Sequence, residues 1–165
     1  MYTTLDLRMN AMVDAAKRWI KFDIPDSVKL GMVLFAEETH VIPFQDMTEI
    51  TDASRDELVA KVGEIYDMTG ARTCIGCGLA LAANGPQFLN GGRGGNILLI
   101  TDGVQLCYSD GPECTTVSEM ADILVERNVR VVTIAMGPEA DPEIEELAEK
   151  TGGKSYYVEV NLIIH

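Results

Sequence analysis

Hydrophobic and polar positions follow two different periods in alternating stretches of the chain. Apolar residues three and four positions apart, typical of amphipathic helices, recur in five segments: 8–22, 52–66, 77–89, 115–128 and 141–153. Continuous apolar runs, typical of buried strands, fill three more: 96–101, 129–137 and 155–160. Segment 27–45 predicts two further strands joined by a polar turn at 37–39, and therefore a hairpin.

Polar residues mark the ends of two of these helices. Ser54 is the predicted N-cap of the second helix, with Glu57 three residues later in the position of a capping box. Pro142 in the first turn and Gly152 near the end bound the last helix.

The order of the elements predicts an α/β fold. Strands separated by helices form βαβ units, and their continuous apolar runs favour a mostly parallel, doubly wound sheet covered on both faces, with the hairpin antiparallel. A chain of 165 residues is long enough for one domain with a sizeable core. Ligands of such folds bind at the carboxyl ends of the strands, and Asp102 directly follows the strand at 96–101.

The charge of the chain narrows the choice of partners. Its formal net charge is −13 at pH 7, which argues against binding to nucleic acid or to anionic membranes. The sequence contains no apolar run of about 18 residues that could span a bilayer. Its first ten residues lack the apolar core of a signal peptide.

Motifs of the common enzyme classes are absent from the sequence. The two histidines, His40 and His165, lie in no motif, and no nucleophile elbow or phosphate-binding loop occurs. The glycine-rich segment 91–95 precedes a strand instead of opening a helix, which predicts a turn. An acid–base pair of Asp102 with a second carboxylate stays open, although nothing in the sequence marks the second group.

The four cysteines favour disulfides or buried thiols over a zinc site. They are Cys74, Cys77, Cys107 and Cys114, and only the first pair has the spacing of a zinc ribbon. A bridge from Cys74 to Cys77 would constrain little of the chain, whereas one from Cys107 to Cys114 would close a loop beside Asp102. The sequence leaves the pairing open.

Two oxygen-bearing side chains are candidates for a metal site. The Asp102 carboxylate and the hydroxyl of Thr73, just before the small-residue helix, are ligands of the kind that Mg²⁺ accepts. On spacing alone, a turn or cap role is more typical of Thr73 than a metal-binding one, so these two segments by themselves are a weak signal for a metal.

Taken together, these two segments resemble von Willebrand factor type A domains. Thr73, with Leu79 six residues later, is similar to the "GGT…AL" signature of that family, and "LLITDG" at 98–103 is similar to its second signature. The resemblance covers residues 1–158 and leaves 159–165 as a tail outside the family pattern. The stretches "GMVLFAE", "NILLITDG" and "IAMGPEADPEIEELAEKTGGKSYY" most resemble the A domain of calcium-activated chloride channel regulators.

The resemblance implies a metal-ion-dependent adhesion site. In such a site a D-x-S-x-S loop, a threonine and an aspartate hold Mg²⁺ or another divalent ion, which binds a carboxylate of a protein partner. By motif match, Thr73 is the second-loop ligand and Asp102 is the third-loop ligand, acting through a water.

One departure from the family pattern changes the expected site. The D-x-S-x-S loop is absent, and Met1 matches the methionine that follows it in many members. We therefore expect the chain to begin inside the domain, as a fragment without the first central strand and three of the five metal ligands. The expected Mg²⁺ binding of this chain is weak or absent, since two ligands are too few to replace several waters of the ion.

The resemblance implies a non-catalytic protein-interaction domain. Its parent family is extracellular and modulates chloride conductance, so a chloride channel subunit is a candidate partner. No H-E-x-x-H motif occurs, so the sequence predicts no protease activity for this chain. Two alternatives stay open, a doubly wound hydrolase or phosphotransferase using Asp102, and a purely structural domain with a degenerate site.

Overall fold

The computed structural model describes residues 4–36, 41–68, 73–85, 88, 93–102, 115–136 and 141–158. Five α-helices occur in these ranges: α1 (Thr4–Arg18), α2 (Asp52–Gly63), α3 (Ile75–Asn84), α4 (Val117–Glu126) and α5 (Pro142–Lys150). The strands described are β1 (Lys29–Phe35), β2 (Val41–Glu49), β3 (Asn96–Thr101), β4 (Arg130–Met136) and β5 (Ser155–Val158). A π-helical turn, Trp19–Asp23, continues α1, and a 3₁₀ turn, Glu64–Asp67, continues α2. The predicted α/β class is confirmed.

The chain divides into two compact units. The first comprises Met1–Met32 and Gln45–Thr69, and the second comprises Val33–Phe44 and Gly70–His165. In the described part of the chain, β1 pairs with β2 as a hairpin, and β3, β4 and β5 form a separate three-stranded sheet. The loss of a first central strand, like the boundary between domain and tail at residue 158, stays a prediction.

In the first unit, one arginine ties the end of the π-helical turn to α2. The Arg55 guanidinium donates hydrogen bonds of 2.6 Å to the carbonyl oxygens of Ile20 and Ile24. It also forms an ion pair of 2.6 Å with Asp26. Since the Arg55 side chain is only 15% exposed, these bonds satisfy a largely buried charge.

The cap of α2 corrects the sequence prediction. Thr51, not Ser54, is the N-cap: its extended backbone places its hydroxyl 3.1 Å from the Ser54 amide, which donates to it. The Ser54 hydroxyl accepts from the Thr51 amide at 2.8 Å, so Ser54 takes the return position expected of Glu57. Threonine and serine are both good capping residues, and their spacing alone does not decide which one caps.

In the second unit, the sheet is parallel, as predicted. β4 lies between β3 and β5, with Thr101 opposite Ala135 and Ile134 opposite Tyr156. The right-handed crossovers of such units bring their helices onto one face. The core on that face is built from α3, α4, α5, β3 and β4, and its largest members include Ile75, Leu79, Leu99, Met120, Leu124 and Leu147.

The two faces of this sheet are buried to different degrees. Leu99, Val131 and Thr133, which point to the α3–α5 side, are buried. On the opposite face, Leu98 is 37% exposed and Tyr156 is 52% exposed. Among the residues that the structure describes, those on the α3–α5 face are therefore the more deeply buried.

Candidate metal site

Thr73 is held just before the first turn of α3. The next residue, Cys74, is the N-cap of α3, and its backbone amide donates a hydrogen bond of 2.6 Å to the carbonyl oxygen of Ala36, directly after β1. The Cys74 carbonyl accepts from the Gly78 amide at 3.2 Å. These bonds fix the backbone beside Thr73, whose side chain is half-buried.

Helices α3 and α4 lie side by side and run in the same direction. At their starts, Gly76 touches the backbone of Thr115 and Thr116. At their ends, the Arg127 guanidinium donates to the Ala83 carbonyl at 3.1 Å and to the Asn84 side chain at 2.7 Å. The start of α3 therefore lies beside the start of α4.

The starts of both helices lie toward the carboxyl ends of the sheet strands. The end of α4 lies at the beginning of β3, because the Gly94 amide donates to the Arg127 carbonyl at 2.8 Å. The start of α4 consequently lies toward the other end of the strands, where β3 ends at Thr101 and Asp102 follows. By this argument, the two candidate residues Thr73 and Asp102 lie toward the same end of the β3–β5 strands.

The donors at this edge suit a hard cation in type but are few. A threonine hydroxyl and a carboxylate are oxygen ligands of the kind that Mg²⁺ accepts alongside waters. Within the described ranges, no group of three or more His, Cys, Asp or Glu side chains could hold a metal ion.

A second carboxylate at this edge was not singled out from the sequence. Asp141 is 6% exposed and is the N-cap of α5, with its Oδ1 accepting from the Glu143 amide at 2.9 Å. The sequence signal for it is the proline at the first position of the helix, which marks residue 141 as a cap.

The start of α4 carries a capping box that was also missed. The Thr116 hydroxyl accepts from the Glu119 amide at 3.1 Å, and a Glu119 carboxylate oxygen accepts from the Thr116 amide at 2.9 Å. The backbone hydrogen bond from Thr116, followed by the one from its hydroxyl, lowers the pKa of Glu119 below its usual value.

The two cysteines at the start of α3 differ in how their sulfur atoms are bonded. Cys74 is disulfide-bonded, and Cys77 carries a thiol. The Sγ atoms of Cys74 and Cys77 are 2.9 Å apart. Cys107 and Cys114 lie outside the described residues, as do Gly103, His40 and His165.

Two further sequence predictions concern the rest of the chain. In the predicted turn at 91–95, Gly94 and Gly95 have positive φ angles of 71° and 106°, while residues 91 and 92 lie outside the described ranges. No described helix has the length and apolarity needed to span a bilayer.

Comparison with known sequences gives a consistent result over most of the chain. Residues 5–162 match the family model described as von Willebrand factor type A domain. The chain is 25% identical over 152 residues to calcium-activated chloride channel regulator 1 of Mus musculus. It is 28% identical over 151 residues to calcium-activated chloride channel regulator 4 of Homo sapiens. Each match covers 92% of this chain but only 15% of the relative.

Solved structures show a similar fold at low sequence identity. Two crystal forms of proximal thread matrix protein 1 from the mussel byssus match with TM-scores of 0.61. Their sequence identities are 17% and 20%, over 94% and 96% of this chain and 36% and 39% of theirs. At these identities the likeness supports the fold alone.

Proposed function

Because the chain belongs to the von Willebrand factor type A domain family, we propose that it is a protein-interaction domain that docks its partner at the carboxyl edge of the β3–β5 sheet. The observation that supports this proposal is the close approach of Gly76 to the backbone of Thr115, which sets the start of α3, and Thr73 before it, beside the start of α4. The resemblance of both residues to the family's metal-binding signatures, together with their oxygen donors, favours a cation-dependent contact over a catalytic one.

The roles of the two residues follow from their positions. Asp102 supplies the negative charge, and Thr73 supplies a neutral hydroxyl from the loop before α3. When bound, a divalent cation supplies positive charge that can bind a carboxylate of the partner. The hydrogen bond from the Cys74 amide to the Ala36 carbonyl oxygen holds the backbone next to Thr73, which reduces the reordering that a partner would require at that residue.

We further propose that the metal site of this chain is incomplete. The sequence contains no D-x-S-x-S loop. With one carboxylate and one hydroxyl, the site competes poorly with the hydration shell of Mg²⁺, which the ion gives up reluctantly. Binding of free Mg²⁺ is accordingly weak.

The relatives of the chain also suggest a binding partner and a cellular location. The relatives are named as regulators of calcium-activated chloride channels, and the chain spans about 15% of their length. By analogy, we propose that this domain acts at the cell surface or outside the cell and that its partner is a chloride channel subunit presenting a carboxylate.

Paramagnetic broadening by Mn²⁺ locates a weak cation site directly. Mn²⁺ prefers the same oxygen ligands as Mg²⁺ and broadens the NMR signals of nearby nuclei. Titrated into the full chain, Mn²⁺ should first broaden the backbone amide signals of Thr73 and Asp102. Asp102→Ala should abolish this broadening, Thr73→Val should weaken it, and Thr73→Ser should retain it.

The matched control removes a carboxylate elsewhere on the same unit. Asp122 on α4 is largely exposed, with its carboxylate 4.0 Å from Lys150. Asp122→Ala changes the net charge as much as Asp102→Ala does and should leave the broadening unchanged. Broadening centred on the acidic surface of α5, equal in wild type and Asp102→Ala, would refute the proposed site.

A further inference from the structure

The basic residues in the second half of the chain cluster at one end of the β3–β5 sheet. From residue 73 to residue 165, the lysines and arginines are Arg93, Arg127, Arg130, Lys150 and Lys154. Arg93 precedes β3, Arg130 begins β4, and Lys154 precedes β5. Arg127 and Lys150 lie where α4 and α5 end. In a chain with a formal net charge of −13, positive charge is thus concentrated at the amino ends of these strands.

A polar depression of about 510 Å³ opens among these residues. Its walls come from the ends of α4 and α5 and the starts of β3 and β4, and Arg130, Lys150 and Asn96 are among the residues that line it. The described residues that line it include no acid, although Glu126 and Glu149 lie in the last turns of the two helices. An anion that enters the depression therefore meets positive charge.

The side chains of Arg130 and Lys150 are both accessible to a ligand. Arg130 is exposed, and within the described ranges no acidic side chain forms an ion pair with it. The Nζ atom of Lys150 lies 3.2 Å from the Glu146 carboxylate and 4.0 Å from that of Asp122. Because both carboxylates are well exposed, these ion pairs contribute little. A carboxylate of a ligand can replace either of them.

The two helices that end at the depression have carbonyl groups that are already hydrogen-bonded. Helix C-termini usually repel negative charge through such groups when they are free. The amides of Asn128 and Val129 donate to carbonyl oxygens in the last turn of α4 at 3.0 and 2.9 Å. Those of Gly152 and Gly153 do the same in α5 at 3.0 and 2.8 Å. The helix ends therefore oppose an anion less than free C-termini would.

The spread of the charges favours a linear ligand over a compact one. Phosphate sites commonly use a helix N-terminus, whereas α4 and α5 turn their C-termini to this end. Neighbouring strands lie about 4.8 Å apart, so the cations that start or precede the three strands form a row instead of converging on one point. Carboxylates on one side of an extended peptide repeat about every 7 Å and can pair with such a row.

We propose that this basic end of the β3–β5 sheet is a docking surface for an acidic segment of a protein partner, with Arg130 and Lys150 at its centre. Clusters of basic residues recognise acidic motifs in proteins. Arg130 suits a carboxylate in particular, because the fork of guanidinium donors can bind both oxygens. The surface lies at the end of the strands away from Asp102 and does not rest on the proposed function.

An NMR titration of the full chain with an octaglutamate peptide tests this surface. At an ionic strength of about 0.02 M, where screening is weak, the peptide should shift the backbone amide signals of Gly95, Asn128 and Gly152 first. These shifts should shrink at about 0.5 M salt because screening weakens the contact. A neutral octapeptide of serine and glycine should leave them unchanged. Octaglutamate shifts that are absent, or centred on another part of the chain, would overturn the proposal.

Matched removals of charge make the result specific. Arg130→Gln and Lys150→Gln should each weaken octaglutamate binding by roughly 2- to 5-fold, the range expected for one exposed ion pair. Lys29→Gln removes the same charge from an exposed position in β1 and should leave the affinity unchanged. Equal losses in all three variants would mean that the peptide responds only to net charge, which would refute the docking surface.

Two further measurements separate this surface from other sites. Inorganic phosphate should displace octaglutamate only at a much higher concentration than a competing acidic peptide does, and displacement at equal concentration would overturn the assignment to an acidic segment. Asp102→Ala, measured in EDTA, should bind octaglutamate at least as tightly as wild type. A failure of this proposal is therefore distinct from a failure of the cation-dependent contact.

Discussion

A Cβ atom on Gly76 would lie 1.8 Å from the carbonyl oxygen of Thr115. Helix α3 can therefore lie this close to the start of α4 only because residue 76 has no side chain. The contact aligns the starts of the two helices, and with them Thr73, which lies just before α3.

Replacing this glycine should be costly. Gly76→Ala forces the helices apart at a backbone contact, and we expect it to lower the free energy of unfolding by about 2 kcal/mol or more. Urea denaturation of the full chain measures the change. Gly63→Ala is the matched control, because its Cβ would meet only the flexible end of Lys17 at 3.3 Å. We expect that change to be neutral or slightly stabilising, and equal losses in both variants would contradict the argument.

The capping box at Thr116 predicts an acid-dependent contribution to stability. Because hydrogen bonds from Thr116 lower the pKa of Glu119 in the folded protein, the stabilisation is present above the unfolded pKa of about 4.3 and is lost as the pH falls through the folded pKa. Glu119→Gln should therefore lower stability most near neutral pH, with the difference from wild type shrinking below about pH 4. Parallel stability curves from about pH 6 to pH 3 would show that the charge of Glu119 contributes nothing.

In the first unit, the contribution of Tyr66 to stability should depend on pH in the opposite direction, being lost as the pH rises. Its hydroxyl donates a hydrogen bond to Asp14, and the Lys17 ammonium lies 4.7 Å from the centre of its ring. The hydrogen bond to Asp14 is the main cause that raises the pKa of Tyr66 above its usual value. The stabilisation is then complete below the unfolded pKa of about 10 and is lost as the pH rises through the folded pKa.

Substituting the hydroxyl tests this linkage. Tyr66→Phe keeps the ring under Lys17 but removes the phenol, so it should destabilise the chain at about pH 8 and by less at about pH 11. Urea denaturation at the two values measures the difference. A destabilisation that is the same at both values would mean that the phenol is not coupled to folding.

How far the sequence predicts this molecule depends on the range of the interaction concerned. β3 was predicted at its observed bounds, 96–101, because a continuous apolar run ending at an aspartate is a local signal. The rule that ligands bind at the carboxyl ends of parallel strands pointed to Asp102, whereas Thr73 came from the family resemblance, and their role as one site stays a prediction. Their assignment as metal ligands came from the family signatures, since hydroxyl and carboxylate groups are just as common in turns and caps.

Other features lie beyond local patterns. Thr51 is the N-cap because its backbone is extended, and the sequence alone does not show whether Thr51 or Ser54 adopts that conformation. The approach of Gly76 to Thr115 joins segments that are distant in sequence. Only the packing of α3 against α4 determines such contacts, so spacing alone could not predict them.

The most direct test of the account is a thermal melt of the full chain in Mg²⁺ and in EDTA, for wild type and for Asp102→Ala. A ligand that binds only the folded state raises the melting temperature according to its affinity. A site with Thr73 and Asp102 as its protein ligands should bind Mg²⁺ weakly. We therefore expect a cooperative wild-type melt whose melting temperature changes little at about 1 mM Mg²⁺, by the equivalent of less than about 0.5 kcal/mol in the free energy of unfolding. A large Mg²⁺-dependent rise that disappears in Asp102→Ala would contradict the account, because it would mean that the site is complete.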